Sequence, residues 1–370
     1  MGSRCSLTSA PIQTRAFSTL IVALFLGIGL GCQPPVSIPG DDGSNNDGSG
    51  NDGSSNGDSN NGDGNNGGGN NGGTVVAVDN WAAIILDDDG SLIGADSVDD
   101  RIVRINRATG AATLISGAGA GSGPELDRPL RLFLDADGSL LVTTQLRLVF
   151  RIDPTTGNRT LLLDDSDPND FFPDSFSGIA TTADGTIYVT GGGDGPLIAR
   201  VDLQAAALVD VDFENITFSV PDIVPSGGNT ALVIDAGRRA IVEVNLTSGD
   251  ETIISNVDTQ FGPADTEVGT GPDFGQPPRA IAVAEDGTIY EADEANSSFG
   301  LGVSVIFAID PATGNRTVVS GPDNGDGPEI GRPVDLVVDA DGHLVMIDAN
   351  YEGLLVIDPE TGDRSQLSTN

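Results

Sequence analysis

The sequence predicts an all-β fold, a six-bladed β-propeller of four-stranded antiparallel blades, and three observations carry that expectation. First, a phrase recurs. Ile152-Asp153-Pro154-Thr155-Thr156-Gly157-Asn158-Arg159-Thr160 returns as Ile309-Asp310-Pro311-Ala312-Thr313-Gly314-Asn315-Arg316-Thr317 and, frayed, as Ile357-Asp358-Pro359-Glu360-Thr361-Gly362-Asp363-Arg364. Second, each copy sits in a unit of about 48 residues, the size of one propeller blade. Third, every unit holds apolar runs of about 4–8 residues rich in Val, Ile, Leu and Thr, separated by Asp, Gly, Asn and Pro. No sustained 3.6-residue periodicity follows residue 32, and 51 Gly in 370 residues weigh against helix.

In unit two the runs are Leu132-Phe133-Leu134, Ser139 to Thr144, Leu148 to Asp153 and Arg159 to Leu163. Asp137-Gly138 between the first two marks a tight hairpin, because Gly accepts the positive φ such turns require. Asp-Pro-x-Thr-Gly-Asn marks a longer turn between the last two. Six units follow one another: 81–128, 129–175, 176–219, 220–277, 278–332 and 333–368. Unit three lacks the Pro-x-Thr-Gly turn, and in unit four Asn229 stands where the others carry the turn Gly. Thr74 to Val78 is a spare strand, read either as an addition to the outer edge of the sixth blade or as a plain lead-in. The propeller domain is thus 74–370.

The stretch Pro278 to Tyr290 reads Pro-x-x-Ile-Ala-Val-x-x-Asp-Gly-Thr-Ile-Tyr and resembles the NHL repeat. The units together also resemble the six-bladed propellers of the SMP-30/gluconolactonase-like group. The resemblance covers about 81–368 and implies fold far more than function, since propellers host unrelated activities. The group's lactonases imply Glu, Asn and Asp around a channel metal, in a Pro-Asn-Gly or Pro-Asp-Gly context at blade starts. Here those places hold Leu130-Arg131, Ser177-Gly178, Pro221-Asp222, Arg279-Ala280 and Val334-Asp335, with no Asn and no Glu.

Residues 1–32 read as a targeting segment. Arg4 and Arg15 precede an apolar core from Leu20 to Leu30, too short for a comfortable membrane span. Leu30-Gly31-Cys32 resembles the end of a bacterial lipoprotein signal, which implies lipidation of Cys32 and, with Gln33 next, an outer-membrane or surface location; a cleaved signal and secretion are the alternative. The only other Cys is Cys5, so the mature chain forms no intrachain disulfide. Residues 33–73, almost all Gly, Asn, Asp and Ser from Gly40 on, bury nothing and read as a disordered tether of roughly 30–35 Å average span.

The formal net charge is −38, and all 17 basic residues are Arg. Such a surface repels nucleic acid and anionic lipid, leaving the N-terminal lipid as the membrane contact. Without Lys, Schiff-base chemistry on a side-chain amine is excluded.

Strand order gathers the starts of first strands, the ends of second strands and the inter-blade loops at one mouth of the channel, where ligands commonly bind. Seven residues before the turn Gly (or Asn229) stand Ala83, Arg131, Gly178, Asp222, Ala280 and Asp335; six after it stand Asp96, Thr144, Gly191, Asp235, Asp293 and Asp348. The candidate ligand-binding residues are therefore Asp222, Asp335, Arg131, Arg279, Asp96, Asp235, Asp293 and Asp348. A strand-ending Asp also serves the backbone of its own turn, so the last four read first as structural. Asp222 and Asp335 need a partner in a crowded central strand. They share one cation, with Ca²⁺ as candidate cofactor, or are neutralised by Arg131 or Arg279. Two ligands fall short of the six or so that a hard cation takes. The one His, His343, follows the Asp341-Gly342 turn away from the mouth, which argues against a His-based lyase or a Ser-His-Asp site.

The inter-blade loops repeat too. Gly121-Ser122-Gly123-Pro124, Gly269-Thr270-Gly271-Pro272 and Gly325-Asp326-Gly327-Pro328 read as inter-blade turns, with Leu126, Phe274 and Ile330 plugging gaps between sheets. Loops 256–277 and 291–303 are longer than their counterparts and draw attention to blades four and five. The sequence thus reads as a lipid-anchored, monomeric binding module for an envelope protein, glycan or small ligand. No catalytic constellation is recognisable; the alternative is a metal-dependent hydrolase like the lactonases.

Overall fold

The computed structural model describes residues 75–78, 80–166, 175–192, 197–211, 213, 215–216, 219–257, 267–275, 278–294, 304–351 and 353–368. The targeting segment, Cys32 and the tether lie outside them, as do most of the two long loops. Every element among the described residues is a strand, and six four-stranded sheets form the expected propeller. A short strand β1 (Val75–Val76) precedes blade one, which is β2 (Trp81–Leu86), β3 (Leu92–Asp96), β4 (Arg101–Ile105) and β5 (Ala112–Ser116). Blade two is β6 (Pro129–Leu134), β7 (Leu140–Thr144), β8 (Leu148–Ile152) and β9 (Arg159–Asp164). Blade three is β10 (Gly178–Thr181), β11 (Ile187–Thr190), β12 (Ile198–Asp202) and β13 (Ala207–Asp210). Blade four is β14 (Ile223–Gly227), β15 (Thr230–Asp235), β16 (Ala240–Asn245) and β17 (Glu251–Asn256). Blade five is β18 (Pro278–Val283), β19 (Ile289–Asp293), β20 (Val305–Ile309) and β21 (Arg316–Ser320). Blade six is β22 (Pro333–Val338), β23 (Leu344–Asp348), β24 (Gly353–Ile357) and β25 (Arg364–Ser368).

The six first strands touch one another in a closed round, β2 meeting both β6 and β22, so they line the axis. In blades one, two, five and six the pairing of first and second strands slips after the opening residue, as between Pro129 and Arg131 or Pro333 and Asp335. A bulge of this kind bends the strand and re-aims the next side chain. In blade four Asn229 does sit in the hairpin turn, with Gly228, but it does not carry the positive φ. Gly227 and Gly228 take the positive φ, and a shift between Pro225 and Gly227 shortens the connection.

The core lies in the seams. Leu132, Leu140 and Phe150 of blade two pack with Ile93, Ala95 and Ile102 of blade one. At the closing seam Val103 and Ile105 pack with Val345, Ile347 and Leu354 of blade six. No blade buries both faces alone, which is why the repeat must close. Blade six supplies all its own strands, and β1 pairs instead with the outer edge of blade one, Val75 opposite Thr113 and Val76 opposite Ala112. Arg107 of blade one pairs with the buried Asp339 carboxylate of blade six across the same seam.

The two repeated phrases interlock. At the seam of blades one and two the Arg159 N–H donates to Ser122 O (2.7 Å), and the Ser122 N–H donates to Asn158 Oδ1 (2.9 Å). The Arg159 guanidinium donates to Pro124 O and Ser116 Oγ, while Ser116 donates to Gly157 O. Arg316 and Arg364 repeat the clasp with Thr270, Pro272 and Ser255, and with Asp326, Pro328 and Ser320. A Cβ on Gly121 would stand 1.8 Å from Gly157 O, so the phrase requires Gly there. Leu126 and Phe274 are buried in these seams and Ile330 packs against the third, as the sequence led us to expect. Blade one has Ala112 where the clasp would place Arg, and there β1 takes up the edge.

Candidate functional site

At the channel position small and charged residues alternate: Ala83, Gly178 and Ala280 on odd blades, Arg131, Asp222 and Asp335 on even ones. Each charged side chain is half-buried and reaches the first strand of a neighbouring blade. Asp222 accepts the Ile281 N–H on Oδ2 (2.9 Å) and the Ile223 N–H on Oδ1 (2.8 Å). Asp335 accepts the Ile84 N–H (2.8 Å) and the Leu336 N–H (2.9 Å) in the same way. Arg131 donates to Ser177 O (2.6 Å), Leu130 O (2.9 Å) and Ala82 O (3.2 Å), the equivalent carbonyls of blades three, two and one. The acids thus meet amides and the base meets carbonyls, forming a collar around the axis.

Burial raises the Asp222 carboxyl, while the Ile281 amide and Arg131 pull it back. Burial and then the Asp222 charge push Asp335 up to about 7, against Arg131. Arg131 is thus the collar's counter-charge. Arg279 instead bonds the Glu294 carboxylate, Nε to Oε2 at 2.6 Å. Two residues along the strand, on the same side by alternation, stand Ile85, Phe133, Ala180, Val224, Ala282 and Val337, so an apolar layer follows the charged one.

Three of the four strand-ending Asp residues serve their own surroundings on both oxygens. Asp96 accepts the amides of Val98 and Asp99 and binds Arg101. Asp235 accepts the amides of Gly237 and Arg238 and binds Arg238 Nε (2.6 Å). Asp348 accepts the amides of Asn350, Arg332 and Gly331. Asp293 departs from them. Its Oδ2 accepts the Gly275 N–H, and its buried Oδ1 has no partner in hydrogen-bonding geometry. Burial pushes its carboxyl up to about 6, against the Gly275 amide and the Arg239 charge.

Beside it is a residue that sequence reasoning passed over. Glu291 is fully buried, and neither carboxylate oxygen has a partner in hydrogen-bonding geometry. Burial, followed by the Asp293 charge, pushes its carboxyl well above the usual range; the nearby Arg279 amide offsets this in part. Aligning the units four residues after the turn would have found it, for the other five hold Gly94, Val142, Val189, Val233 and Met346 there.

On the mouth face an open depression of about 420 Å³ lies between Ser97, Val98, Arg128, Leu130, Gln145 and Ser175, over blades one to three. Val98 and the adjacent Leu146 are exposed. His343 sits at the opposite end, its N–H donating to Asp339 Oδ1 (2.9 Å) in the β22–β23 turn. Asp339, Asp341 and His343 lie together, but Arg107 already pairs with Asp339.

No family model matches the chain, and no curated protein matches it in sequence. Solved structures match in fold. Virginiamycin B lyase from Staphylococcus aureus aligns with TM-score 0.53 and 15% identity, over 79% of this chain and 87% of that one. An auxiliary nutrient binding protein from Bacteroides thetaiotaomicron aligns with TM-score 0.53 and 15% identity, over 75% and 68%. A protein of unknown function from the same organism gives TM-score 0.55 and 13% identity, over 75% and 69%. At these identities the likeness establishes the propeller fold and nothing more.

Proposed function

We propose that this protein is a lipid-anchored, extracytoplasmic binding module that presents the mouth face of its propeller to a protein, glycan or small envelope ligand, without catalysing a reaction. One observation carries the reading: all three charged side chains of the channel collar are bound to backbone groups of neighbouring blades. That arrangement suits holding the ring together, and it leaves Asp222 and Asp335 poorly placed to cage a metal, which counts against a lactonase-like hydrolase. The sole His points the same way. A histidine-to-alanine variant of the S. aureus lyase, solved with quinupristin, is described as catalytically inactive, whereas His343 lies in a turn at the end away from the mouth. The nutrient binding protein gives a binding precedent on this fold. Lipidation at Cys32 and a long polar tether would keep the propeller attached to the membrane. The exposed Val98 and Leu146 beside Arg128 and Gln145 supply mixed apolar and polar contacts of the kind ligand surfaces use.

The test is direct. Purified protein is offered to envelope fractions and glycan arrays, with lactone turnover and metal content measured alongside. The reading expects saturable binding that is lost in an Arg128→Ala, Gln145→Ala double variant and kept in His343→Ala, no lactone turnover, and release from membranes on Cys32→Ala. Metal-dependent turnover abolished by Asp335→Asn would overturn it in favour of the hydrolase.

A further inference from the structure

We infer that Glu291 and Asp293 form a binding site for a hard divalent cation of the calcium class, set in the seam between blades four and five just beneath the mouth. This inference does not rest on the binding reading above. The two residues are two apart on β19, so they project from the same face. That face is the seam: Ile289, Ile281, Val305 and Phe307 pack there against Ile234 and Ile241 of blade four. Glu291 lies opposite Phe307 and Ile281 in the sheet. A side chain that packs as Val or Met in four other blades is here a carboxylate at 0% exposure.

Three buried carboxylate oxygens, Glu291 Oε1, Glu291 Oε2 and Asp293 Oδ1, have no partner in hydrogen-bonding geometry, and the amides of Arg279 and Glu294 lie near enough to offset their charge in part. Buried polar groups are almost always satisfied, and an unsatisfied carboxylate is costly. The counterparts Asp96, Asp235 and Asp348 have both oxygens engaged, so the deficit is local to blade five. A local break with an otherwise consistent repeat is where functional or strained sites are expected. The loop above makes room for the pair. A Cβ on Gly275 would lie 2.7 Å from Asp293 Oδ1, so the chain passes close over that oxygen only because the residue is Gly.

The surrounding charges do not close the account. Arg239 faces Asp293 but donates its Nε to Gly275 O (3.2 Å). Arg316 is engaged by Ser255, Asn256 and Pro272 and lies over the Phe274 ring (5.1 Å). Glu294, paired with Arg279, adds negative charge. A bidentate Glu with a monodentate Asp is a common half-shell for Ca²⁺, whose oxygens lie at about 2.3–2.6 Å. The pair supplies three of the six to eight oxygens that Ca²⁺ takes, so a bound ion would keep water in its remaining positions.

Chelator-treated full-length protein is titrated with CaCl₂ in 0.15 M NaCl, followed by calorimetry and by thermal unfolding. Wild type should take up one saturable equivalent and unfold at higher temperature when loaded. Glu291→Gln should weaken that uptake by about ten-fold or more and abolish the thermal shift. Glu291→Met, which carries the residue of blade six, should do the same and guards against misfolding, checked by near-ultraviolet circular dichroism. Asp335→Asn should leave both responses unchanged. The inference is overturned by no saturable uptake in wild type, as a site filled only by a proton would give, by equal uptake in both Glu291 variants, or by loss of uptake in Asp335→Asn.

Discussion

Two groups of carboxyls with raised pKa values, the half-buried collar and the buried seam of blades four and five, share a molecule and almost nothing else. In the collar, Asp222 and Asp335 each accept two backbone amides, and one Arg stands between them as counter-charge. In the seam, Glu291 and Asp293 leave three oxygens unmatched. Both settings raise carboxyl pKa values by burial, so a shifted pKa does not tell structure from function here. Hydrogen-bond satisfaction does. A carboxylate whose lone pairs already hold the fold together is a fastener, whereas one buried with its lone pairs open is waiting for a proton or a cation.

The largest expected effect tests the fastener half. Arg131→Met strips three equivalent carbonyls of their donor and leaves two neighbouring acids without a counter-charge. The expected loss is about 3 kcal/mol or more, since three hydrogen bonds from a charged donor, each contributing about 1.5–3 kcal/mol, are removed; it is read by chemical denaturation at pH 7. A loss near zero would mean that the collar is dispensable and its acids are free for other work.

Glu291→Met should move stability the other way. The folded carboxyl titrates above its usual value of 4.5, so the folded state holds the proton longer than the unfolded one. Stability therefore declines as pH rises from about 4.5 through the folded pKa, and below that window the decline is absent. In chelator the Met variant should be more stable than wild type by about 1–3 kcal/mol at pH 8, the usual cost of a buried unsatisfied polar group, with the gain shrinking toward pH 4. An equal gain at both pH values would place the effect in packing rather than ionisation.

These contrasts show what was legible in the sequence. The blades were, because a turn motif such as Asp153 to Asn158 and a hairpin Asp-Gly each encode a local geometry, and the repeat displays them again and again. The gap-plugging of Leu126, Phe274 and Ile330 followed from the same comparison of units. The partners of charged groups were not legible. Arg131 and Arg279 looked equivalent as neutralisers until the fold turned one toward three carbonyls and the other toward Glu294. The Val75–Val76 strand could not be assigned an edge, because two valines fit any exposed outer strand; the fold pairs them with Thr113 and Ala112. Glu291 stayed hidden because a single acid in an apolar strand stands out only when set beside the same position in five other blades.

The smallest effect sharpens the collar itself. Asp335 titrates at about 7 partly because Asp222 repels its charge. Asp222→Asn should lower the Asp335 pKa toward the ordinary range, followed by carboxyl carbon chemical shifts across pH 4–9. An unchanged value would show that burial alone sets it and that the two acids do not sense each other.

Anomalous diffraction from crystals grown with terbium, a calcium surrogate, addresses both halves at once. The account predicts an ion beside Glu291 and Asp293, in the seam of blades four and five, and none on the axis between Asp222 and Asp335. An ion on that axis, or none beside Glu291, would contradict it.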